Sequence, residues 1–258
     1  MNRFAFGENW SDFSKRLGPE DYDAAKESLR ELLPDLRDKT FLDVGSGSGL
    51  FSIAASALGA KRVLGFDLDE KAVTTAKELV EKVSQWDPNV RKEAIEFRVE
   101  SIFDKGLERE RFDVVYSWGV LHHTGRMYEA FEVVRSLVAE HGKLVIAIYN
   151  KHFTSPVWKG IKYTYIKSPG FIKKAITYSV FCLKYVVLWI TMRQNPLKRR
   201  RGMRFYNDVV DWVGGYPYEY ATVGQVSDFF ESRGFSRTKL TRTKGYTGCN
   251  EFVFEKEQ

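Results

Sequence analysis

The chain has 258 residues, 43% of them hydrophobic, which is enough to bury the core of one sizeable α/β domain with an insertion. Its two cysteines lie far apart and its histidines have no metal-ligand spacing, which argues against a disulfide framework, and no metal site is predicted. The net charge of +6 is uneven, because every charged residue from Lys151 to Arg204 is basic and the remainder is net acidic. We therefore expect one basic face that meets an anionic partner. The N-terminus has no secretory leader, so we also expect a cytoplasmic protein.

The first 39 residues are predicted to form a helical arm. Residues 9–15 have the pattern of a short helix, and residues 21–33 that of a longer helix with leucines on one face. Trp10 lies in the first of these helices, where we expect its ring to close over a bound ligand.

A predicted strand at 40–44 runs directly into a loop with glycine at every second position: Gly45, Gly47 and Gly49. Glycine tolerates positive φ and lets a ligand approach the main chain closely. The helix predicted at 49–58 leaves its first backbone N–H groups available to an anionic or polar ligand. The glycine spacing differs from the G-x-G-x-x-G pattern that cradles a pyrophosphate.

A second predicted strand, 62–66, ends at Asp67, with Asp69 two residues later. A carboxylate at the tip of the second strand suits a ribose, because it can accept hydrogen bonds from both hydroxyls. Asp69 is predicted to cap the following helix.

Strands and helices continue to alternate through the central region. Further strands are predicted at 95–99, 112–117 and 143–149, and further helices at 69–84 and 126–139. This alternation predicts a doubly wound α/β sheet, mostly parallel, with helices on both faces. In such a sheet the ligand lies beyond the carboxyl ends of the strands, where the strand order reverses.

The pattern changes at residues 151–220, which are predicted to be a basic, apolar and mostly helical insertion. Residues 175–192 form an apolar helix with a narrow polar stripe, followed by Lys198-Arg-Arg-Arg201. Lys184 would cost about 2.5–3.5 kcal/mol at the centre of a bilayer, so no membrane-spanning helix is predicted. We favour packing of this helix as a lid or homodimer face. Peripheral contact of 172–201 with an anionic membrane is the alternative.

Residues 221–258 are predicted to complete the core. Thr222 and Gln225 form a capping box that begins a helix to about residue 233, and Gly234 ends it. Two strands follow, predicted at 236–243 and 250–255. Gly245 and Gly248 are predicted to lie in the turn between them.

The run Asp43-Val-Gly-Ser-Gly-Ser-Gly49, with Asp67, resembles the cofactor site of class I S-adenosylmethionine-dependent methyltransferases. Residues 112–123 and 142–149 resemble the fourth and fifth strands of that superfamily. Three flanking segments resemble a bacterial subfamily, of small-molecule or glycan type, with a helical insertion: 6–10, 211–218 and 248–254. The resemblance implies a Rossmann-like fold with an antiparallel C-terminal hairpin. It also implies S-adenosyl-L-methionine as cofactor and S-adenosyl-L-homocysteine as product.

The same resemblance suggests roles for individual residues. Asp43 would anchor the glycine loop or the cofactor's ammonium, and a turn-capping role is the alternative. Ser101 aligns with the position that contacts adenine, with Glu100 and Asp104 as competitors. Trp118 would offer a π-face to the sulfonium or serve as a core tryptophan. The complete predicted cofactor set is Trp10, Asp43, Gly45, Ser46, Gly47, Gly49, Asp67, Leu68, Ser101, Ile102, Ser117 and Trp118.

Two adjacent histidines follow the fourth predicted strand, on the substrate side of the cofactor. A histidine can take a proton from a substrate hydroxyl, and we favour His123 over His122 as this base. A structural role for either one, or methyl transfer by proximity and desolvation without any base, is the alternative. The predicted substrate walls are Tyr149, Asn150, Tyr216 and Tyr218.

The favoured function is a methyltransferase that acts on a small-molecule or glycan acceptor, by direct in-line transfer to oxygen. An RNA (tRNA) methyltransferase is the first alternative, because basic and aromatic residues are interleaved in the insertion. A non-catalytic, cofactor-binding partner subunit is the second. Nucleic acid is the less favoured partner, since no RNA-binding module is recognisable.

Overall fold

The computed structural model describes residues 6–107, 110–192, 205–243 and 248–257. Its described residues form one seven-stranded sheet with the order β3-β2-β1-β4-β5-β7-β6. The strands are β1 (Thr40–Val44), β2 (Arg62–Asp67), β3 (Ile95–Val99), β4 (Phe112–Trp118), β5 (Val138–Tyr149), β6 (Phe235–Thr241) and β7 (Cys249–Lys256). Strands β1 to β5 are parallel, and β7 runs antiparallel to both β5 and β6. The predicted fold is therefore confirmed.

Helices cover both faces of this sheet. They are α1 (Phe6–Arg16), α2 (Pro19–Leu32), α3 (Leu50–Ala57), α4 (Glu70–Val83), α5 (Met127–Ser136), α6 (Ser155–Lys167), α7 (Gly170–Met192), α8 (Phe205–Gly214) and α9 (Val223–Glu231). Successive side chains of a strand point to opposite faces of the sheet. Phe41 of β1 therefore packs into the core on the face covered by α2, α3 and α4 (the α2–α4 face), and Leu42 into the core on the face covered by α5 and α9 (the α5–α9 face). The site-forming edge lies where β1 meets β4 and the strand order reverses.

The prediction of a helix over residues 126–139 is wrong at its end. Helix α5 stops at Ser136 and β5 begins at Val138. The pairing of β4 with β5 jumps from Phe112–Val138 to Val114–Lys143, so the intervening residues of β5 bulge out. His141, in this bulge, has a φ of 58°. The short apolar run at 137–139 is compatible with either a helix or a strand. In the structure Val138 begins a strand because it pairs with Phe112 at the edge of β4.

Helices α6 to α8 form the insertion, and they enclose a third apolar cluster with the carboxyl end of β5. Helix α7 packs on α8 and α6, and α1 packs against α4 and α8. Among the described residues, no helix is both long and apolar enough to cross a membrane. The basic run at 198–201 and Gly245 lie outside the described residues.

The C-terminal predictions agree closely with the structure. Thr222 accepts a hydrogen bond from the Gln225 N–H at 3.1 Å, and the Gln225 side chain accepts from the Thr222 N–H at 3.0 Å. This capping box begins α9, and Gly234 follows its end with a φ of 80°. Gly248, at the end of the predicted turn, has a φ of 141°.

Candidate active site

The glycine loop after β1 is shaped by its own backbone hydrogen bonds. The N–H groups of Gly45 and Ser46 both donate to the Phe66 carbonyl at 2.9 Å, which ties the loop to the end of β2. Gly47 has a φ of 53°, and a β-carbon there would lie 2.7 Å from the Trp10 ring. Gly45 has a φ of 72°, and a β-carbon there would lie 2.5 Å from the Val120 side chain. Both positions therefore require glycine for conformation and for space.

Asp67 closes the other side of this loop. Its two carboxylate oxygens accept from the N–H groups of Gly47 and Asp69, each at 3.0 Å. Burial raises the pKa of this carboxyl. Each oxygen keeps a second lone pair, so the carboxylate still has capacity for two hydroxyl donors. Leu68, the next residue, was predicted to contact the cofactor, and its side chain is 54% exposed.

Asp69 caps α4, as the sequence predicts. It accepts from the Lys71 N–H at 2.9 Å, and its second oxygen accepts from the Gly7 N–H at 2.9 Å. An ion pair between Lys71 and Glu8 at 2.6 Å adds a second tie between α1 and α4. These contacts hold the N-terminal arm against the loop, with Trp10 on Gly47.

Asp43 lies buried beneath the loop. It accepts from the Ser52 hydroxyl at 2.6 Å, so one oxygen anchors α3 to β1. Burial raises the pKa of Asp43 to about 7, and the negative charge of Asp67 raises it further. The buried Ser46 hydroxyl has no hydrogen-bond partner among the described residues. The loop therefore holds an acidic group and an unsatisfied hydroxyl near its glycine turn.

The turn after β3 lies beside Asp67, since the Glu100 N–H donates to the Asp67 carbonyl at 3.0 Å. The Ser101 N–H donates to the Asp104 carboxylate at 2.8 Å, and the Ser101 hydroxyl accepts from the Phe103 N–H at 3.2 Å. Asp104 is therefore engaged in holding the turn. Ile102 is 7% exposed and packs mostly into the core on the α5–α9 face.

The segment after β4 forms the next wall. The Ser117 hydroxyl is buried and donates to the Val44 carbonyl at 3.2 Å. The indole N–H of the half-buried Trp118 donates to Glu251 on β7 at 3.0 Å. Gly119 follows with a φ of 79° and open space where a β-carbon would point. The chain leaves room on this side of the loop, next to Gly45.

His122 and His123 form a short turn beyond this segment. His122 is fully buried, with its ring 3.9 Å from that of Tyr149 between centroids. Neither of its ring nitrogens has a well-aligned hydrogen-bond partner among the described residues, although the Ala147 carbonyl lies close. Burial lowers the pKa of His122 well below 6.5, and His123 and Lys162 lower it further.

His123 is partly exposed. Its Nδ1 lies 2.7 Å from the Pro217 carbonyl, so Nδ1 carries the proton and Nε2 carries the lone pair. Burial lowers the pKa of His123 to about 3, and the charge of Lys162 contributes. Both imidazoles are therefore neutral at neutral pH.

Of the four predicted substrate-wall residues, the structure brings Tyr149 against the histidines and Tyr218 against Tyr149. The ring of Tyr149 contacts both histidines and Tyr218, the latter at 5.1 Å between centroids. Tyr216 instead lies 5.6 Å from the ring of Tyr163 on α6. The Asn150 side chain accepts from the Asn250 amide at 3.0 Å, beside the strand end rather than against the histidines.

Three side chains at this site had no predicted role, although Trp212 lies in the segment 211–218 that resembles the bacterial subfamily and Glu219 directly follows it. Lys162 and Trp212 of the insertion pack around Tyr149. Glu219 accepts from the Met127 N–H at 3.1 and 3.3 Å, and its own N–H donates to the His122 carbonyl at 2.9 Å. A lysine on a helix looks like a solvated residue, and only the packing of α6 and α8 reveals that Lys162 is buried. Nothing in the spacing would have identified these residues.

The residues present fit S-adenosylmethionine. The positive-φ glycine loop allows close approach of the methionine portion, Ser46 offers an unsatisfied hydroxyl, and Asp67 has lone pairs for a ribose. No group of side chains among the described residues could hold a metal ion.

Comparisons with known proteins agree with this geometry. Residues 42–146 match a family model described as a methyltransferase domain. A ribosomal protein L11 methyltransferase from Staphylococcus saprophyticus is 42% identical over 84 residues, which is 32% of this chain and 23% of the relative. A putative protein N5-glutamine methyltransferase from Methanocaldococcus jannaschii is 43% identical over 65 residues, which is 24% of this chain and 33% of the relative. The chain thus spans about a third or less of these curated relatives.

Two solved structures share the fold. A putative S-adenosylmethionine-dependent methyltransferase from Listeria monocytogenes superposes with a TM-score of 0.58 at 17% identity, over 92% of this chain and 99% of its own. Magnesium protoporphyrin IX methyltransferase from Synechocystis, with bound S-adenosylhomocysteine, has a TM-score of 0.58 at 16% identity, over 92% and 83%. The superfamily predicted from the motifs, class I S-adenosylmethionine-dependent methyltransferases, is confirmed.

Proposed function

We propose that this class I S-adenosylmethionine-dependent methyltransferase moves a methyl group to an oxygen atom of a small-molecule or glycan acceptor. The observation that carries the proposal is that two walls at the carboxyl ends of the strands are linked through Val120. A β-carbon at Gly45 would lie 2.5 Å from the Val120 side chain, and the Val120 carbonyl accepts from the His123 N–H at 2.8 Å. One wall is the glycine loop with Asp67 across it, and the other is His123 with Tyr149. When bound, S-adenosylmethionine supplies an electrophilic methyl group on a sulfonium. We assign residues 40–150 and 221–258 to the core that binds the cofactor. Residues 1–39 and 151–220 are assigned to the surroundings of the acceptor.

His123 is proposed to orient the acceptor hydroxyl. Its Nε2 lone pair accepts the hydroxyl hydrogen while Pro217 fixes the ring through Nδ1. A pKa of about 3 makes His123 a weak general base at neutral pH, since efficient bases have a pKa near the working pH. Positioning and exclusion of water therefore supply most of the acceleration. His122, fully buried, holds Tyr149 and His123 in place.

The test has two arms. Calorimetry with S-adenosylmethionine measures binding, and mass spectrometry of acceptor mixtures looks for products heavier by one methylene. His123→Gln is expected to lower turnover about tenfold with unchanged cofactor affinity, because one hydrogen bond to the acceptor is weakened. Cofactor binding without turnover across broad acceptor libraries would favour the non-catalytic partner subunit instead.

The acceptor side favours a small ligand over tRNA. It is lined by clustered rings, those of Tyr149, Trp212 and Tyr218. The ribosomal protein L11 methyltransferases match this chain over limited segments, so their printed acceptor is not carried over. Methylation of tRNA in a salt-sensitive manner would overturn this choice.

Helix α7 is proposed to contact an anionic membrane surface, and the enzyme is proposed to be cytoplasmic and peripheral at that surface. It packs on α8 and α6, and its outer side presents large apolar side chains to solvent. Those at least 46% exposed are Phe171, Tyr178, Leu183, Val186, Val187, Trp189 and Ile190. Lysines flank this face, and no acidic residue occurs from 151 to 204. Apolar side chains with aromatic rings and lysines are typical of interfacial helices.

Vesicle sedimentation tests this contact. We expect binding to phosphatidylglycerol vesicles, weaker binding to phosphatidylcholine, and loss of binding in Leu183→Glu/Trp189→Glu. Tyr128→Glu, which changes a 45% exposed ring on α5, is the matched control and should bind normally. Absence of vesicle binding, with a homodimer that dissociates in the double variant, would make α7 a dimer face instead.

A further inference from the structure

The insertion carries one lysine into the interior. Lys162 on α6 is fully buried, and its ammonium donates to the Trp212 carbonyl. The ammonium lies over three rings, 4.3 Å from the centroid of Trp212, 4.8 Å from Tyr218 and 5.3 Å from Tyr149. No carboxylate of the described residues forms an ion pair with it. A buried ammonium ordinarily requires an anion or a full set of acceptors, and Lys162 has one carbonyl.

The two nearest carboxylates are engaged elsewhere. Asp208 pairs with Lys184 at 3.3 Å. Asp211 accepts from the Asn9 amide at 2.7 Å, which links α8 to α1. Both attract Lys162 only at longer range. Burial lowers the pKa of Lys162 well below 10.5, so its amine holds a proton most readily when an anion lies beside it, and no carboxylate in the described part of the chain forms an ion pair with it.

A second donor of the cluster lacks an acceptor as well. The Trp212 indole N–H is buried without a partner among the described residues. His122 also borders Tyr149, at 3.9 Å between ring centroids, but the Ala147 carbonyl lies close to its ring. An indole and an ammonium offer only donors. In the described part of the chain, Lys162 and the Trp212 indole are therefore two buried donor groups with one acceptor between them, the Trp212 carbonyl.

We propose that Lys162, Trp212, Tyr149 and Tyr218 form an acceptor subsite that binds an anionic, planar group of the methyl acceptor. A carboxylate or an ionised hydroxyl on an aromatic ring would pair with the ammonium, while the rings of the cluster cover the ring faces. This inference rests on the proposed function and names the substrate class of the same site. The rings of this subsite are buried in the structure, and His123 and Tyr216, which are only partly buried, lie beside the same cluster.

Benzoate is the probe, with benzyl alcohol as the uncharged control, both titrated into the wild-type protein saturated with S-adenosylhomocysteine. We expect benzoate to bind and to raise the melting temperature, and benzyl alcohol to bind at least about tenfold more weakly, because a charge-assisted hydrogen bond is lost. This comparison needs no variant. Equal affinity for the two probes, or no binding of benzoate, would overturn the proposal.

Lys162→Met keeps an unbranched apolar stem of similar length and removes the charge. It is expected to weaken benzoate about tenfold or more and to leave the affinity for S-adenosylhomocysteine unchanged. Lys184→Met is the matched control, because Lys184 also lies over the Trp212 ring, at 5.0 Å, but is partly exposed and paired with Asp208. Benzoate affinity that is the same in Lys162→Met and wild type would contradict the subsite. Failure of the wild type to bind S-adenosylhomocysteine would instead reject the proposed function.

Discussion

The cofactor end and the acceptor end of this molecule are built in different ways. Around the glycine loop, backbone hydrogen bonds set the shape. The N–H groups of Gly45 and Ser46 donate to the Phe66 carbonyl, and that of Gly47 donates to the Asp67 carboxylate. Around Tyr149, side chains from β5, α6, α8 and the 215–220 loop meet, and the Trp212 indole N–H has no partner among the described residues. The first end suits one constant ligand, and the second is free to vary with the acceptor because side chains alone define it.

The largest effect that separates the two ends is expected at Asp67. Asp67→Ala removes a buried carboxylate that holds Gly47 and has lone pairs for a ribose, so affinity for S-adenosylhomocysteine should fall about a hundredfold or more. Asp69→Ala is the matched control, which should cost about 1 kcal/mol of stability through the lost helix cap and change affinity only slightly. Isothermal calorimetry measures both. A larger loss of affinity in Asp69→Ala would contradict the assignment.

The next effect concerns pH and Asp43. Its pKa is raised from 3.8 to about 7 in the fold, so the folded protein holds a proton that the unfolded chain releases. Stability from this group is therefore full below pH 3.8 and is lost as pH rises toward 7, by up to about 1.4 kcal/mol per pH unit. Relative to wild type, Asp43→Asn should become more stable as pH rises from 5 to 7.5 in denaturation without ligand. A constant difference across that range would show that Asp43 is ionised throughout.

A smaller effect is expected where the loop meets the arm. Gly47→Ala places a methyl group against Trp10 and forces a positive φ, which should weaken cofactor binding about tenfold. In a Trp10→Ala background the steric part disappears, so the second substitution should cost less. Gly160→Ala is the control, since that helical glycine faces open space, and it should be neutral or stabilising by up to about 1 kcal/mol. Strict additivity of the Gly47 and Trp10 changes would exclude their contact.

The smallest effect is expected at the acceptor end. Glu219 accepts from the first N–H of α5, and Glu219→Gln keeps the shape but removes the charge at the helix N-terminus. Thermal denaturation should show a loss of about 0.5–1 kcal/mol. Affinity for S-adenosylhomocysteine should stay within about twofold, because this contact lies away from the glycine loop. A cofactor defect equal to that of Asp67→Ala would erase the distinction between the two ends.

The strands, turns and helix caps around the glycine loop were predicted well because their signals are local. The strand at 40–44 agrees residue for residue with β1, and Asp69 caps α4 as expected. A glycine turn and an acid at a strand tip are neighbours in sequence as well as in space. The end of α5 was predicted wrongly, because the run at 137–139 suits a helix or a strand and the β4 edge decides.

The set of side chains around Tyr149 could not be predicted from local signals in the sequence. Lys162 lies in α6 and Trp212 in α8, and nothing in their spacing shows that both point toward Tyr149. Tyr149 was predicted from its place at the tip of the fifth strand and Tyr218 from its place in an aromatic loop, whereas Tyr216 of the same loop lies against α6. Which face of an inserted helix is buried depends on packing with elements dozens of residues away.

Calorimetric titration of the wild-type protein with S-adenosylhomocysteine, read beside its melting temperature, tests the central claim most directly. We predict measurable heat with one site per chain and a higher melting temperature, both absent in Asp67→Ala. A folded wild-type protein that gives neither heat nor thermal protection, with this ligand or with S-adenosylmethionine, would contradict the account.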